Sequence, residues 1–183
     1  MQLQSSFTPL AYSAAQPALA GGTGSFPIEK QIMSNWCWVC CTLAVCRFYG
    51  TPIADQYHLV ATITGIPRCA VPPPVAVCNI AVNLADPLKY YGHLNQEQDA
   101  ALSESDTLSY VSDGRVPIGC QLLLPNIGGH AVVIYNGYRS ASGQLVLNIA
   151  DPADGALLTM TYAQLLSNYR NSGGNWIRSY ITQ

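Results

Sequence analysis

"SNWCWVCCTLAVC", residues 34–46, sets two tryptophans around one cysteine and then runs three more cysteines among small apolar residues. Three readings compete for it: a metal cage, a disulfide cluster, or one reactive thiol with buried thiols behind it. A structural zinc site needs four converging ligands, commonly two cysteine pairs in loops. Cys37 and Cys40 form one such pair, and no second C-x-x-C exists in the chain. From Trp38 to Tyr49 the apolar residues fall on nearly all sides of a helical wheel, and Gly50-Thr51-Pro52 supplies a stop. The stretch therefore predicts a buried central helix, with Cys37 at its start and Cys40, Cys41 and Cys46 inside it as core filling. Seven cysteines is an odd count, so a monomer keeps at least one free thiol.

Around this helix, 183 residues suffice for one domain with a sizeable core. Charged residues are 10% of the chain and the net charge is -2, which offers nucleic acid no basic surface. No run reaches the roughly 18 apolar residues of a membrane span, and the N-terminus lacks the basic region of a secretory signal peptide. Residues 1–24, rich in Ser, Ala, Gly, Pro and Gln, read as a flexible arm. Residues 25–183 read as the folded domain.

After the central helix, Thr51-Pro52 predicts the start of a second helix reaching Gly65. "IPRCAVPPPVAVCN" follows, and its three consecutive prolines require an irregular loop, with Cys69 and Cys78 placed to pin it. Ser103, with Asp106 after it and Gly114 beyond, predicts a helix over 103–112. The period then changes. "VPIGCQLLL", "HAVVIYNGYR", "QLVLNIADP", "ALLTMTY" and "NWIRSYIT" read as strands, with "SASG" closing a hairpin and "YAQLLSNY" a short helix. Helices first and strands afterwards predict an α+β domain, a helical layer on an antiparallel sheet.

A thiol becomes a useful nucleophile when a helix N-terminus and an imidazolium stabilise its thiolate. Cys37 meets the first condition, and three histidines compete for the second. His58, within the predicted helix, and His93, in "YYGHLN", have ordinary structural readings. His130 differs: Gly128 and Gly129 precede it, allowing backbone or substrate to approach, and an apolar strand follows to hold the ring. An Asp or Asn must orient that ring. Asn148 and Asp151 both return on the next strand, and Asp151 is the stronger candidate because Pro152 makes a defined corner there. The Cys37 N–H at the helix start is one donor for an oxyanion, and Gln31 a candidate second.

Gln31 ahead of Cys37-Trp38, then Gly-His130-Ala and Asp151-Pro far downstream, resembles the papain-like cysteine proteases. More narrowly, "QIMSNWCWVCC" is similar to the signature of the bacterial AvrRpt2-type family, and the resemblance covers roughly residues 27–180. "RCAVPPPVAVCN" resembles that family's cysteine-bearing loop, "DGRVPIGCQL" one of its strands, and "GGHAVVIYNGY" and "IADPADG" its His and Asp blocks. The resemblance implies a papain-like fold and a cysteine endopeptidase acting without metal or cofactor. Cys37 would be the nucleophile, His130 the general base and acid, Asp151 the orienter and Gln31 the oxyanion donor. Trp36, Gly128 and Gly129 are expected to line the substrate cleft.

Two positions depart from the family pattern: Val39 and Cys40 stand where it has alanines, and Arg68-Cys69 where it has paired cysteines. The second leaves a Cys69–Cys78 bridge open, which would favour an oxidising compartment. The implied substrate is a protein or peptide, with neither nucleic acid nor membrane as partner, and an activating or immunity protein stays an open question. Family members act as secreted effectors delivered into another cell, some after losing an N-terminal segment. Secretion or signal-independent delivery is thus the expected localisation, with the cytoplasm as the other. Acyl transfer to an amine by the same triad, and a non-catalytic binding module, are the competing functions.

Overall fold

The computed structural model of the chain describes residues 25–183, so the predicted arm at 1–24 and its processing lie outside the described residues. Why the first helix sits centrally follows from its surface. α1, Cys37–Phe48, buries every residue from Trp38 to Cys46, so it must be covered all round. α2, Gln56–Thr64, and α3, Ala85–Tyr90, pack with it on one face of a six-stranded sheet. The sheet comprises β1 (Leu94–Gln98), β2 (Ile118–Leu124), β3 (Gly128–Arg139), β4 (Leu145–Asp151), β5 (Ala156–Thr161) and β6 (Asn175–Thr182). All its pairings are antiparallel, in the order β1-β6-β2-β3-β4-β5.

β3 reads as a continuous apolar run because both of its faces are covered. Ala131, Val133 and Tyr135 join the core under α1, whereas Val132 and Ile134 join a second core with Val111 and Leu165. Those last two belong to α4 (Glu104–Val111) and α5 (Tyr162–Ser167). Helices thus cover both faces of the sheet, where the sequence pattern predicted one helical layer. The α+β class and the order of the five strands from β2 to β6 agree with the pattern. Gly137 marks how closely α4 approaches: a Cβ there would lie 2.9 Å from Val111 Cγ2.

Helix ends follow local chemistry. Ser103 caps α4 by accepting from Asp106 N–H at 3.1 Å, and Thr161 with Gln164 forms a capping box on α5. Gly65 closes α2 in the left-handed conformation. The start of α2 differs from expectation. The helix begins at Gln56 because Asp55, extended, accepts from His58 N–H at 2.8 Å, a stronger cap than Thr51 offers, and residues 51–55 stay non-helical. α3 and β1 were not predicted; β1 is a short polar edge strand with no apolar alternation. The proline-rich loop carries two 3₁₀ turns, Pro67–Ala70 and Ala76–Cys78. Among the described residues no helix is long and apolar enough to cross a membrane.

Candidate active site

The start of α1 has no side-chain cap and no acidic residue in its first turn. The Cys37 thiol, half-buried, therefore faces the positive end of a three-turn helix whose first N–H groups have no intrahelical carbonyl to meet. Behind it Cys40, Cys41 and Cys46 are fully buried. Burial pushes the thiols of Cys40 and Cys41 far above the ordinary range, and that of Cys46 up to about 12. They stay protonated and inert, as does Cys120, buried in the second core.

Antiparallel pairing of β3 with β4 returns Asp151 to His130. The ring Nε2 donates to Asp151 Oδ1 at 2.7 Å, the histidine 9% exposed and the aspartate 1%. Engaging Nε2 leaves Nδ1 as the nitrogen that can serve a thiol. Burial alone would lower the pKa of His130, but the bond to Asp151 and the interaction with the Cys37 thiol outweigh it and raise it to about 9. Burial would likewise raise Asp151, yet His130, the Tyr169 hydroxyl and the Ala153 N–H hold it well below the usual carboxylate range.

Asp151 is satisfied on both oxygens. Oδ1 also accepts from Ala153 N–H at 2.9 Å, while Oδ2 accepts from Tyr169 Oη at 2.7 Å and Arg170 Nη1 at 2.8 Å. Arg170 Nη2 binds Asp154 Oδ2 at 2.8 Å. Neither Tyr169 nor Arg170 carries a sequence signal for this role; Tyr169 ends the stretch read as a short helix, and both lie in the connection between α5 and β6. Asn148, the other orienter candidate, donates to Thr159 Oγ1 at 3.0 Å across β4 and β5 and does not reach His130.

The Cys37 segment is held from a different direction. Cys69 and Cys78 form a disulfide, 5.6 Å between their Cα atoms. Directly after it, Asn79 Oδ1 accepts from Asn35 N–H at 2.9 Å, and Asn79 Nδ2 donates to Ser34 Oγ at 2.9 Å. Trp36 Nε1 donates to the Cys78 carbonyl at 2.7 Å and Trp38 Nε1 to the Ile80 carbonyl at 2.9 Å. Trp36 is wholly buried, with Tyr57 packed edge-on. A fully buried indole walls no open cleft, so its expected cleft role is corrected to anchoring the helix start.

Gln31 also sits differently from expectation. Its Nε2 donates to the carbonyls of Met33 at 2.9 Å and Ser34 at 2.7 Å, which occupies both amide hydrogens, and its buried Oε1 has no partner. In this conformation Gln31 has no hydrogen left for an oxyanion and clamps its own loop. Its backbone N–H donates to the Pro152 carbonyl at 2.8 Å, joining the loop ahead of Cys37 to the turn beyond Asp151. Gly155 permits that contact: at φ +75° its Cβ position is 3.0 Å from Lys30 N. Of the glycines before His130, Gly128 is required by its φ of +91° with open space beside it, and Gly129 lies against the Gln121 amide.

The remaining histidines have structural partners. His58 Nδ1 binds the capping Asp55 at 2.8 Å. His93 bonds Thr51 Oγ1 and the Gln183 carbonyl and stacks on Tyr49. Among the described residues no three His, Cys, Asp or Glu side chains converge as a metal site. No known family model matches the chain, and no curated protein matches it.

Proposed function

We propose that the chain is a cysteine peptidase of papain-like architecture, hydrolysing peptide bonds through Cys37, His130 and Asp151. One observation carries this reading: a histidine locked through Nε2 onto a buried carboxylate, with the thiol of Cys37 among the groups acting on the same ring, at the uncapped start of a helix. His130 Nδ1 takes the thiol proton, and the thiolate attacks the substrate carbonyl carbon. The oxyanion forms against the Cys37 N–H and the positive helix end. His130 then returns the proton to the leaving amine as the C–N bond breaks, leaving a thioester. Water, deprotonated by His130, releases the acid and restores the thiol. Gln31 can join as a second donor only by giving up one of its two carbonyls.

A protein or peptide is the substrate in this reading. The Cys69–Cys78 bridge supports work in an oxidising compartment, consistent with a secreted or delivered protein. A thiol-directed peptidyl epoxide, followed by mass-spectrometric mapping, tests the proposal. Cys37 should be labelled and Cys40, Cys41, Cys46 and Cys120 spared, with His130→Ala abolishing the reaction. Folded protein that leaves Cys37 unlabelled overturns it. Product analysis separates hydrolysis, which leaves new termini, from acyl transfer, which leaves amine adducts.

A further inference from the structure

We infer that Arg170 is a positioning residue of this site: bound to the Asp151 oxygen that His130 does not use, it aims the carboxylate and takes up part of its charge, so that His130 releases its proton more readily than an unshared carboxylate would allow. The inference rests on the peptidase reading for its catalytic meaning, and on geometry for its substance.

Three observations carry it. Arg170 Nη1 lies 2.8 Å from Asp151 Oδ2 while His130 Nε2 lies 2.7 Å from Oδ1, so two cationic partners share one carboxylate buried to 1% exposure. Between such cations the carboxylate's pull on each is divided. Second, Arg170 is itself steered: its Nη2 binds Asp154 at 2.8 Å, fixing the guanidinium plane. Third, the backbone takes a costly path to deliver it. Arg170 and Asn171 have φ of +49° and +59°, consecutive non-glycine residues in the left-handed region. The turn is held closed by Tyr169 N–H to Gly174 O, Ser172 N–H to Tyr169 O and Gly173 N–H to Asn168 Oδ1. Such strain persists where surrounding contacts over-determine it, and here its product is the Asp151 contact.

The titratable and charged groups acting on His130 are the Cys37 thiol from α1, Asp151 from the end of β4 and the Tyr169 ring after α5. Arg170 and Asp154 act through Asp151. Paired β2 places Leu122 opposite His130, which does not titrate. Tyr169, whose hydroxyl burial and Asp151 hold far above the usual phenol range, remains a neutral donor. Arg170 is therefore the cation in the set that competes with the imidazolium for Asp151.

The test is an NMR pH titration of the His130 ring in the full chain, with the signal identified by its loss in His130→Gln and with His58 and His93 as internal fold controls. Arg170→Met should move the His130 midpoint upward by about half a unit or more, about threefold in proton binding, and Arg170→Lys should return it towards the unsubstituted value. Should Arg170→Met not fold, Arg170→Gln supplies the same arm: it keeps a polar partner for Asp151 without the charge and should likewise move the midpoint upward. A midpoint unmoved within about 0.2 unit in the folded variant, or shifted against these directions, overturns the inference. Because the titration needs no substrate, loss of the peptidase reading through unlabelled Cys37 leaves this result to stand or fall by itself.

Discussion

Cys37 is held by a covalent cross-link and neutral hydrogen bonds, His130 by charge. On the Cys37 side, the disulfide loop reaches the helix start through Asn79, Trp36 and Trp38, and no ionised group takes part in these contacts. On the His130 side a single buried carboxylate collects donors from His130, Ala153, Tyr169 and Arg170. The difference follows from what each group must do. A thiolate forming at an uncapped helix end needs its carbonyl neighbours kept away and its own position fixed. An imidazole that gains and loses a proton needs a counter-charge that stays ionised throughout. The two mountings should therefore fail under different insults, one to reductant and the other to pH.

Breaking the charged mounting should have the largest effect. Asp151→Ala leaves the buried His130 ring and Tyr169 hydroxyl facing an empty position, and removing one partner of such a buried pair costs about 3–5 kcal/mol; denaturant unfolding reads it. Asp151→Asn keeps the volume but presents an amide that can accept or donate, so the imidazole is no longer held in one tautomer. A loss of about 10⁴-fold in kcat is expected by analogy with other triads, and a loss below tenfold would show that Asp151 does not orient His130. Breaking the neutral mounting should cost less. The Cys69→Ala, Cys78→Ala double variant opens a loop of sequence separation 9, a loss of about 2–3 kcal/mol. Its unfolding midpoint should match that of the disulfide-reduced unsubstituted chain, and Cys37 labelling should slow in both. Equal labelling with the bridge open would show that the loop does not position the helix start.

Gln31→Ala separates a preformed oxyanion donor from a loop clamp. Loss of a preorganised donor costs about 10²–10³ in kcat. Here the donor must first be withdrawn from the Met33 or Ser34 carbonyl, so the expected loss is nearer about tenfold, with a measurable fall in stability from the two freed carbonyls. Steady-state kinetics beside denaturant unfolding distinguishes the two outcomes.

These asymmetries track what was legible in the residues. The thiol, the base and the strands that carry them could be read because each announces itself locally: an all-round apolar helix after Trp36-Cys37, a histidine opening an apolar strand, an Asp-Pro corner. β3 and β4 were readable as a hairpin, which is why Asp151 could be placed near His130 at all. Arg170 and Tyr169 could not be read, since a loop arginine is brought to Asp151 by two left-handed residues, Arg170 itself and Asn171, that no propensity anticipates. Asn79 is likewise a loop residue whose role exists only once the disulfide loop meets residues 34–35. Trp36 was misplaced for a related reason: an aromatic beside a nucleophile reads equally as wall or anchor, and its indole hydrogen bond to Cys78 decides for anchor.

The pH dependence of the charged mounting has a definite sign. His130 is raised in the folded chain to about 9 from the ordinary value of 6.5, so its contribution to stability is complete below about 6.5 and is lost as pH rises through about 9. Asp151 is lowered, so its contribution is present above the ordinary carboxylate range and is lost as pH falls through its folded value. On the proposed peptidase reading, activity should fall on the alkaline side with a midpoint of about 9 as the imidazolium that protonates the leaving amine disappears. The neutral mounting enters this limb only through the position of Cys37, so reduction of Cys69–Cys78 should move the alkaline midpoint less than Arg170→Met does, and a larger shift would break the comparison.

The smallest effect is expected where the two orienter candidates are set against each other. Asn148 and Asp151 both lie on β4, yet Asn148 spends its amide on Thr159 of the edge strand, while Asp151 stands at the strand end where β3 presents His130. Removing a partly exposed side-chain hydrogen bond costs about 0.5–1.5 kcal/mol at most. Asn148→Ala should therefore leave kcat, the alkaline midpoint and Cys37 labelling within about twofold, a bound set by that same small energy acting away from the ring. A larger catalytic loss from Asn148→Ala than from Asp151→Asn would mean that the edge strand, and not the Tyr169–Arg170 turn, governs the base.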